Sequence, residues 1–93
     1  MANYKLSKVA KEDLMRIHEY GTRNFGAARA EKYFFAFFDR FEEIAQRPYS
    51  FEDVSFIASG YRRCISGVDT IYFRVENESV EIMTIIGRQE FKP

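Results

Sequence analysis

Phenylalanine recurs at helical spacing between Ala27 and Arg47, and no other feature constrains the fold of this chain as strongly. The apolar positions of the segment are mostly three or four residues apart, which places them on one face of an α-helix. They are Ala30, Phe34, Phe37, Phe41, Ile44 and Ala45. Pro48 ends the helix, because a proline disfavours helical backbone in the residue before it. A face with this much aromatic surface is expected to be buried.

A second helix is predicted immediately before the first, over residues 8–24. Its apolar positions have the same helical spacing, and Ser7 offers a side-chain oxygen to cap its first turn. These positions are Ala10, Leu14, Ile17, Gly21 and Phe25. Gly26 breaks the helical run, so the two helices are expected to form an antiparallel hairpin.

The last third of the chain alternates between apolar and polar residues with the period of a β-strand. Short polar turns separate three such segments, which predicts an antiparallel meander with one face against the helices. In the middle strand the predicted inner set is Ile71, Phe73 and Val75, and the outer set is Thr70, Tyr72 and Arg74. In the last strand one predicted set is Val80, Ile82, Thr84 and Ile86, and the opposite set is Glu81, Met83 and Ile85.

The predicted fold is therefore α+β, in the order β-α-α-β-β-β, with a helical hairpin packed on an antiparallel sheet. A short opening strand, "NYKL", can join the sheet through the long return connection that the helices make. Residues 48–59 are an irregular connection, which Phe51, Phe56 and Ile57 are expected to hold against the core. Residues 1–93 are expected to form a single domain, because a chain of this length does not fit two cores.

Charge and cysteine content limit the class of partner and the compartment. The chain has 14 basic and 14 acidic residues, whereas proteins that bind phosphate backbones usually carry a basic excess, so no direct nucleic-acid binding is expected. Cys64 is the single cysteine, which favours a reducing compartment. No apolar run is long enough for a membrane span or a signal peptide, so the cytosol is the expected location.

No cluster typical of catalysis or metal binding is recognisable in the sequence. His18 is the only histidine and is interpreted as a surface residue, because a catalytic base needs a partner within reach. Cys64 is interpreted as a plain strand thiol. Adjacent helical carboxylates do not share a face, and single glycines do not make a phosphate loop. We therefore expect no catalytic residue, no metal and no cofactor.

Two adjacent arginines on the first strand of the meander are the main functional candidates. Arg62 and Arg63 point to opposite faces, so only one of them can join Tyr72 and Arg74 on the face turned away from the helices. Guanidinium groups bind carboxylates and phosphates and anchor interfaces. The alternative is a charge at the rim, paired to an Asp or Glu of the chain itself. Arg88, just past the last strand, has the same two interpretations.

Phe35 does not fit the apolar face of its helix. At 100° per residue it lies well over 90° from the line through its phenylalanine neighbours. A phenylalanine outside the buried face is often simply exposed. It can also mark a surface that a partner covers, and the sequence leaves both interpretations open.

The motifs of this chain, in order and spacing, resemble the ParE branch of the RelE/ParE toxin superfamily. They are "YKLSKVAKEDLMRIHEY", "FG", "AEKY", "FEEIAQRP", "GYRR", "IYFRV" and "IMTIIGR". The resemblance covers nearly the whole chain and departs between Pro48 and Gly60. Where many relatives carry a histidine after the last strand, this chain has Gly87 before Arg88.

The resemblance implies the toxin of a bacterial type II toxin–antitoxin system. Toxins similar to RelE cut mRNA in the ribosomal A site with a cluster of Lys, Arg and Tyr or His. Toxins similar to ParE lack that cluster and poison DNA gyrase, which blocks replication. A cognate antitoxin neutralises both kinds by wrapping its C-terminal segment across the helices and sheet, so a toxin–antitoxin hetero-oligomer is expected.

The residues favour a gyrase poison that is not an enzyme. RNA cleavage needs an acid or base near the open face, and the chain ends in "GRQEFKP", with Phe91 rather than a tyrosine and no histidine. The residues expected to contact gyrase, the antitoxin or both are Arg62, Arg63, Tyr72, Arg74, Arg88, Phe91 and Phe35. The alternatives are a ribosome-dependent mRNA endoribonuclease of RelE type and an inactive toxin that only binds its antitoxin.

Overall fold

The computed structural model describes residues 3–87, in which two helices pack on one face of a five-stranded sheet. The elements are β1 (Tyr4–Leu6), α1 (Lys8–Phe25), α2 (Ala27–Gln46), a 3₁₀ turn (Pro48–Ser50), β2 (Glu52–Asp53), β3 (Tyr61–Ser66), β4 (Asp69–Glu76) and β5 (Ser79–Gly87). The sheet order is β1-β5-β4-β3-β2, with β1 parallel to β5 and the other pairs antiparallel. The predicted α+β fold and the returning first strand are confirmed. The sheet is mixed rather than wholly antiparallel because β1 runs parallel to β5, and the two-residue strand β2 is an addition.

The two helices are joined by a single glycine. Ser7 caps α1 as predicted, since its side-chain oxygen accepts a hydrogen bond from the backbone N–H of Ala10 at 2.9 Å. Gly26 ends α1 with φ of 90°, and its N–H donates to the carbonyl of Thr22 at 3.1 Å. A residue with a side chain is strained at this φ, so the glycine lets the chain reverse within one residue.

The apolar faces of both helices meet the sheet in one core. Phe37 and Phe41 are fully buried, and so is Phe73 on β4. The other core residues include Ala10, Leu14, Ile17, Ile44, Cys64, Ile71, Val80, Ile82 and Ile85. Rings of α2 contact one another in turn, with 6.3 Å between the centroids of Phe37 and Phe41. The stripe predicted from helical spacing is therefore what holds α2 on the sheet.

A β-bulge on β5 makes the predicted alternation of the last strand wrong beyond Ile82. Phe73 on β4 pairs with Ile82, and Tyr72 pairs with Thr84. Met83, which lies between Ile82 and Thr84, therefore has no partner on β4. Because of this extra residue, the side chains after Met83 face the side of the sheet opposite to the one that strict alternation predicts. Ile85 is fully buried, although strict alternation placed it on the face opposite to Ile82.

Side chains of α1 and of its N-cap residue form hydrogen bonds with β5 at the bulge. The Asp13 carboxylate accepts hydrogen bonds from the backbone N–H of Ile85 at 2.9 Å and from the Thr84 hydroxyl at 2.7 Å. The Ser7 hydroxyl donates to the carbonyl of Met83 at 2.7 Å. Strand β1 ends at Leu6, so these side chains satisfy the edge of β5 that β1 does not cover.

The predicted burial of three aromatic or aliphatic residues is also wrong. Phe25, expected on the apolar face of α1, is 56% exposed because it is the last residue of the helix, at the tip of the hairpin. Phe56 and Ile57, expected to anchor the connection, are 78% and 53% exposed. Val54 is fully buried there instead, and the tight turn in which Ile57 donates to the carbonyl of Val54 at 2.8 Å carries the following residues outward.

Phe37→Ala is expected to lower the free energy of unfolding by about 3–5 kcal/mol, because the ring is fully buried and leaves a cavity. Urea denaturation followed by far-UV circular dichroism measures the change. Phe35→Ala is the matched control, since this ring is 61% exposed on the same helix, and its cost is expected to be below about 1 kcal/mol. Equal losses in the two variants would contradict the orientation of α2.

Candidate functional site

The sheet face turned away from the helices brings together three of the predicted residues. Arg63 lies directly opposite Tyr72 on β4, and directly opposite residues of neighbouring strands share a face. Arg74 lies two residues further along β4 and faces the same way. Arg62 lies opposite the fully buried Phe73, so it belongs to the helix side. Arg63 is therefore the arginine that joins Tyr72 and Arg74. We call Arg63, Tyr72 and Arg74, with their acidic partners, the open sheet face.

A bidentate ion pair with Glu52 fixes the position of the Arg63 guanidinium. Its Nε and Nη2 donate to the two carboxylate oxygens of Glu52 at 2.8 and 3.2 Å. Glu52 is directly opposite Arg63 in the β2–β3 pairing. The hydrogen bonds to Glu52, and then to Tyr72, raise the pKa of Arg63. A bidentate pair of this kind fixes the orientation of the guanidinium plane and also neutralises its charge.

Arg74 is paired twice on the same face. Its Nη2 lies 3.2 Å from Glu81 on β5 and 3.4 Å from Glu76 at the end of β4. Its buried Nε has no hydrogen-bond partner among the described residues. The open sheet face therefore alternates basic and acidic groups around Tyr72. Such a face suits a protein surface of mixed charge better than a run of phosphates.

Arg62 has a different environment, at the helix-side rim of the sheet. Its Nη1 donates to the carbonyl of Phe51 at 2.8 Å, its Nη2 lies 3.6 Å from Asp53, and its guanidinium carbon lies 5.0 Å from the centre of the Tyr49 ring. All these partners belong to the connection after α2. The arginine therefore holds this connection against β3.

The remaining candidates lie elsewhere. Phe35 is exposed on α2, with its ring 5.5 Å from that of Phe34. Arg88 and Phe91 lie outside the described residues. Cys64 is buried, and burial raises the pKa of its thiol, which is the state of an unreactive cysteine. His18 is half-buried on α1, with its ring 5.2 Å from that of Phe34.

No metal or membrane site accompanies the open sheet face. Within residues 3–87, no group of three His, Cys, Asp or Glu side chains is placed to hold a metal ion. Neither α1 nor α2 combines the length and the apolar character that a membrane crossing needs.

A cavity of about 370 Å³ that the sequence did not predict lies between the tip of the helical hairpin and the turn that joins β3 to β4. We call it the hairpin pocket. The side chains used below are Tyr20, Phe25, Arg29, Tyr33, Val68 and Asp69. Sequence reasoning placed Phe25 in the core and gave no role to Arg29 or Val68. The sequence did indicate that Arg29 lacks an ion-pair partner on its own helix, since no acidic residue lies three or four positions away from it.

Asp69 closes the inner end of the hairpin pocket. It is 1% exposed, and its Oδ2 accepts a hydrogen bond from the Tyr33 hydroxyl at 2.6 Å. Its other oxygen has no partner in the described part of the chain. Burial raises the pKa of Asp69, and burial together with the bond to Asp69 raises the pKa of Tyr33.

The turn beside Asp69 requires a glycine for two reasons. Gly67 has φ of 62°, in the left-handed region that side chains disfavour. A Cβ at this position would also lie 2.6 Å from the Tyr33 ring. The backbone N–H of Val68 donates to the Tyr33 hydroxyl at 3.3 Å. The glycine therefore lets the turn settle directly on Tyr33.

The open sheet face combines ion-paired arginines with a tyrosine, residue types that are common where one protein binds another. A family model described as "ParE toxin of type II toxin-antitoxin system, parDE" matches residues 4–90. The chain therefore belongs to the ParE toxin family.

One relative agrees with this assignment, and one solved structure shares the fold. The chain is 34% identical over 86 residues to Toxin ParE1 of Caulobacter vibrioides (strain ATCC 19089 / CIP 103742 / CB 15), which covers 92% of this chain and 88% of the relative. A solved structure of a chromosomal ParDE TA system from P. aeruginosa matches 94% of this chain and 96% of its own with a TM-score of 0.82. At 19% identity that likeness establishes the fold. The predicted resemblance is confirmed, and membership of the ParE toxin family supports the expectation that this toxin is not an enzyme.

Asp69→Asn is expected to change how stability depends on pH. Because the pKa of Asp69 is raised in the folded chain, its stabilising contribution is fully present below the unfolded value of about 4 and is lost as the pH rises through the folded value. Asparagine does not titrate. The free energy of unfolding of the original protein should therefore fall relative to that of the variant from about pH 4 upward. Urea unfolding at several pH values between 4 and 7 measures this difference, and a constant difference would contradict the raised pKa.

Proposed function

We propose that this chain is the toxin of a ParDE-type toxin–antitoxin system, that it acts in the cytosol by inhibiting DNA gyrase, and that a ParD-like antitoxin neutralises it in a hetero-oligomer. Family membership supports the toxin role. The observation that carries the choice of a protein target is the pairing on the open sheet face. Arg63 and Arg74 are each matched by carboxylates of the same chain.

This pairing argues against cleavage of RNA. A nuclease needs cations available to the developing phosphate charge and a group that moves a proton. On the open sheet face, Glu52 and Glu81 already occupy the guanidinium groups and would repel a phosphate. His18 is on α1 against Phe34 and so belongs to the helix layer. The endoribonuclease alternative therefore has no support among the described residues.

The same pairing favours selective binding of a protein. Ion pairs at the surface contribute little to stability, so a protein that supplies both signs of charge can exchange partners with them at small cost, whereas a phosphate would leave the displaced carboxylates unpaired. Tyr72 lies between the two pairs and offers a ring and a hydroxyl, a combination common at the energetic centre of interfaces. The open sheet face can thus recognise an arrangement of charges rather than a single sign of charge.

Purified gyrase provides the direct test. Adding this protein to a plasmid supercoiling reaction is expected to reduce supercoiling and to leave linear plasmid as a trapped cleavage product. Prior mixing with the antitoxin should abolish both effects. Unaffected gyrase, beside a known poison that works in the same reaction, would contradict the proposal. Cleavage of mRNA on ribosomes by the same protein would then support the endoribonuclease alternative.

Arg63→Gln and Arg74→Gln test whether the open sheet face contacts gyrase. Each variant removes a charge from the proposed interface, so at least about tenfold more protein should be needed for half-maximal inhibition. Arg47→Gln is the matched control, because Arg47 is also ion-paired but lies at the end of α2. It should change inhibition by less than about twofold. Unchanged inhibition by both open-face variants, with normal thermal unfolding, would remove this face from the gyrase contact.

A further inference from the structure

The hairpin pocket collects exposed apolar groups from two separate segments of the chain. Tyr20 and Phe25 come from α1 and Val68 from the turn between β3 and β4, and all three are among the exposed large apolar residues. Phe25 is 56% and Val68 59% exposed. Exposed apolar groups that converge on a concave site mark a binding surface more reliably than scattered ones. At about 370 Å³ the pocket is at the small end of the range for binding sites, which suits a large side chain rather than a cofactor.

Arg29 at the pocket is the one arginine of residues 3–87 that has no acidic partner. The other seven arginines of this range are each within 4.0 Å of an Asp or Glu oxygen. The guanidinium of Arg29 instead lies 5.4 Å from the centre of the Phe25 ring. The ring interaction holds the cation over one wall of the pocket and leaves its N–H edge available to a carboxylate.

We propose that the hairpin pocket is a docking site for the antitoxin, which places a large apolar side chain in the cavity and a carboxylate against Arg29. This inference rests on the proposed function only in naming the antitoxin as the partner. The chemistry of the occupant follows from the pocket itself. Apolar walls require an apolar side chain, and the unmatched cation requires an acidic residue within the same segment.

The charge at the pocket also argues against a second copy of this chain as the occupant. In a two-fold dimer the same patch meets itself, which brings both Arg29 charges into one interface, and the carboxylate among the described lining residues, Asp69, is buried. Like charges at a desolvated contact oppose association. A partner of different sequence can supply the missing carboxylate.

The test measures the affinity of the full-length toxin for the antitoxin encoded beside it, by isothermal titration calorimetry. Arg29→Gln is expected to weaken binding about tenfold to hundredfold, as for a charged hydrogen bond that is lost at an interface. Val68→Asp should weaken it by a similar factor, because it puts a charge on the apolar wall. The matched controls are Arg47→Gln and Phe56→Asp, an exposed cation and an exposed apolar residue that do not line the pocket. They should change affinity by less than about threefold.

A charge exchange makes the test specific. Arg29→Glu should lose binding, and changing one particular Asp or Glu of the antitoxin to Arg should restore it. Thermal unfolding of each variant should match the original, because Arg29 and Val68 are both exposed.

The outcomes separate this inference from the proposed function. Failure of the unsubstituted toxin to bind the antitoxin would contradict the proposed function. Tight binding that is equal in Arg29→Gln, Val68→Asp and the controls would overturn the docking site and leave the proposed function intact. A toxin dimer in sedimentation that Val68→Asp dissociates, with antitoxin affinity unchanged, would assign the pocket to a second copy and also overturn the inference.

Discussion

Burial of the aromatic stripe of α2 is the constraint on which the rest of the structure depends. Phe37 and Phe41 are fully buried, and among the described residues they share one core with α1 and the inner face of the sheet. Both helices must therefore lie on one side of the sheet. Within residues 3–87, no layer covers the other side of the sheet, so its side chains are open to a partner as far as this part of the chain is concerned. The open sheet face is thus a consequence of how the core is satisfied.

A second constraint acts at the edge of the sheet. Strand β1 is too short to cover β5, and an uncovered strand edge invites pairing with other chains. Asp13 and Ser7 fill the gap with hydrogen bonds to the backbone of β5 around its bulge. These bonds also tie α1 to the strand in one register. The bulge then turns Ile85 inward, which completes the core under the helices.

Electrostatics divides the surface into two kinds of site. On the open sheet face, cations and carboxylates alternate and pair with one another, so the recognition proposed there depends on an exchange of ion-pair partners. At the hairpin pocket, Arg29 lies over the Phe25 ring and pairs with no carboxylate of residues 3–87, so the recognition proposed there depends on a carboxylate from the partner. The first site faces away from the helices and the second is lined by them. The two proposed sites therefore differ in the charge pattern that a partner must present.

The sequence by itself determined the helices, the three meander strands and the family, because each depends on local spacing or on motifs in order. Helical period, the cap at Ser7 and the break at Gly26 act within a few residues. The sequence also limited the open sheet face to one of two adjacent arginines. Only the tertiary structure decided that it is Arg63, because the face that a strand residue occupies depends on which residue of the neighbouring strand it pairs with. The bulge at Met83 and the exposure of Phe25 and Phe56 could not be predicted from the sequence for a similar reason. Each depends on which neighbour is present in space, and the hairpin pocket exists only because residues from two helices and a distant turn meet there.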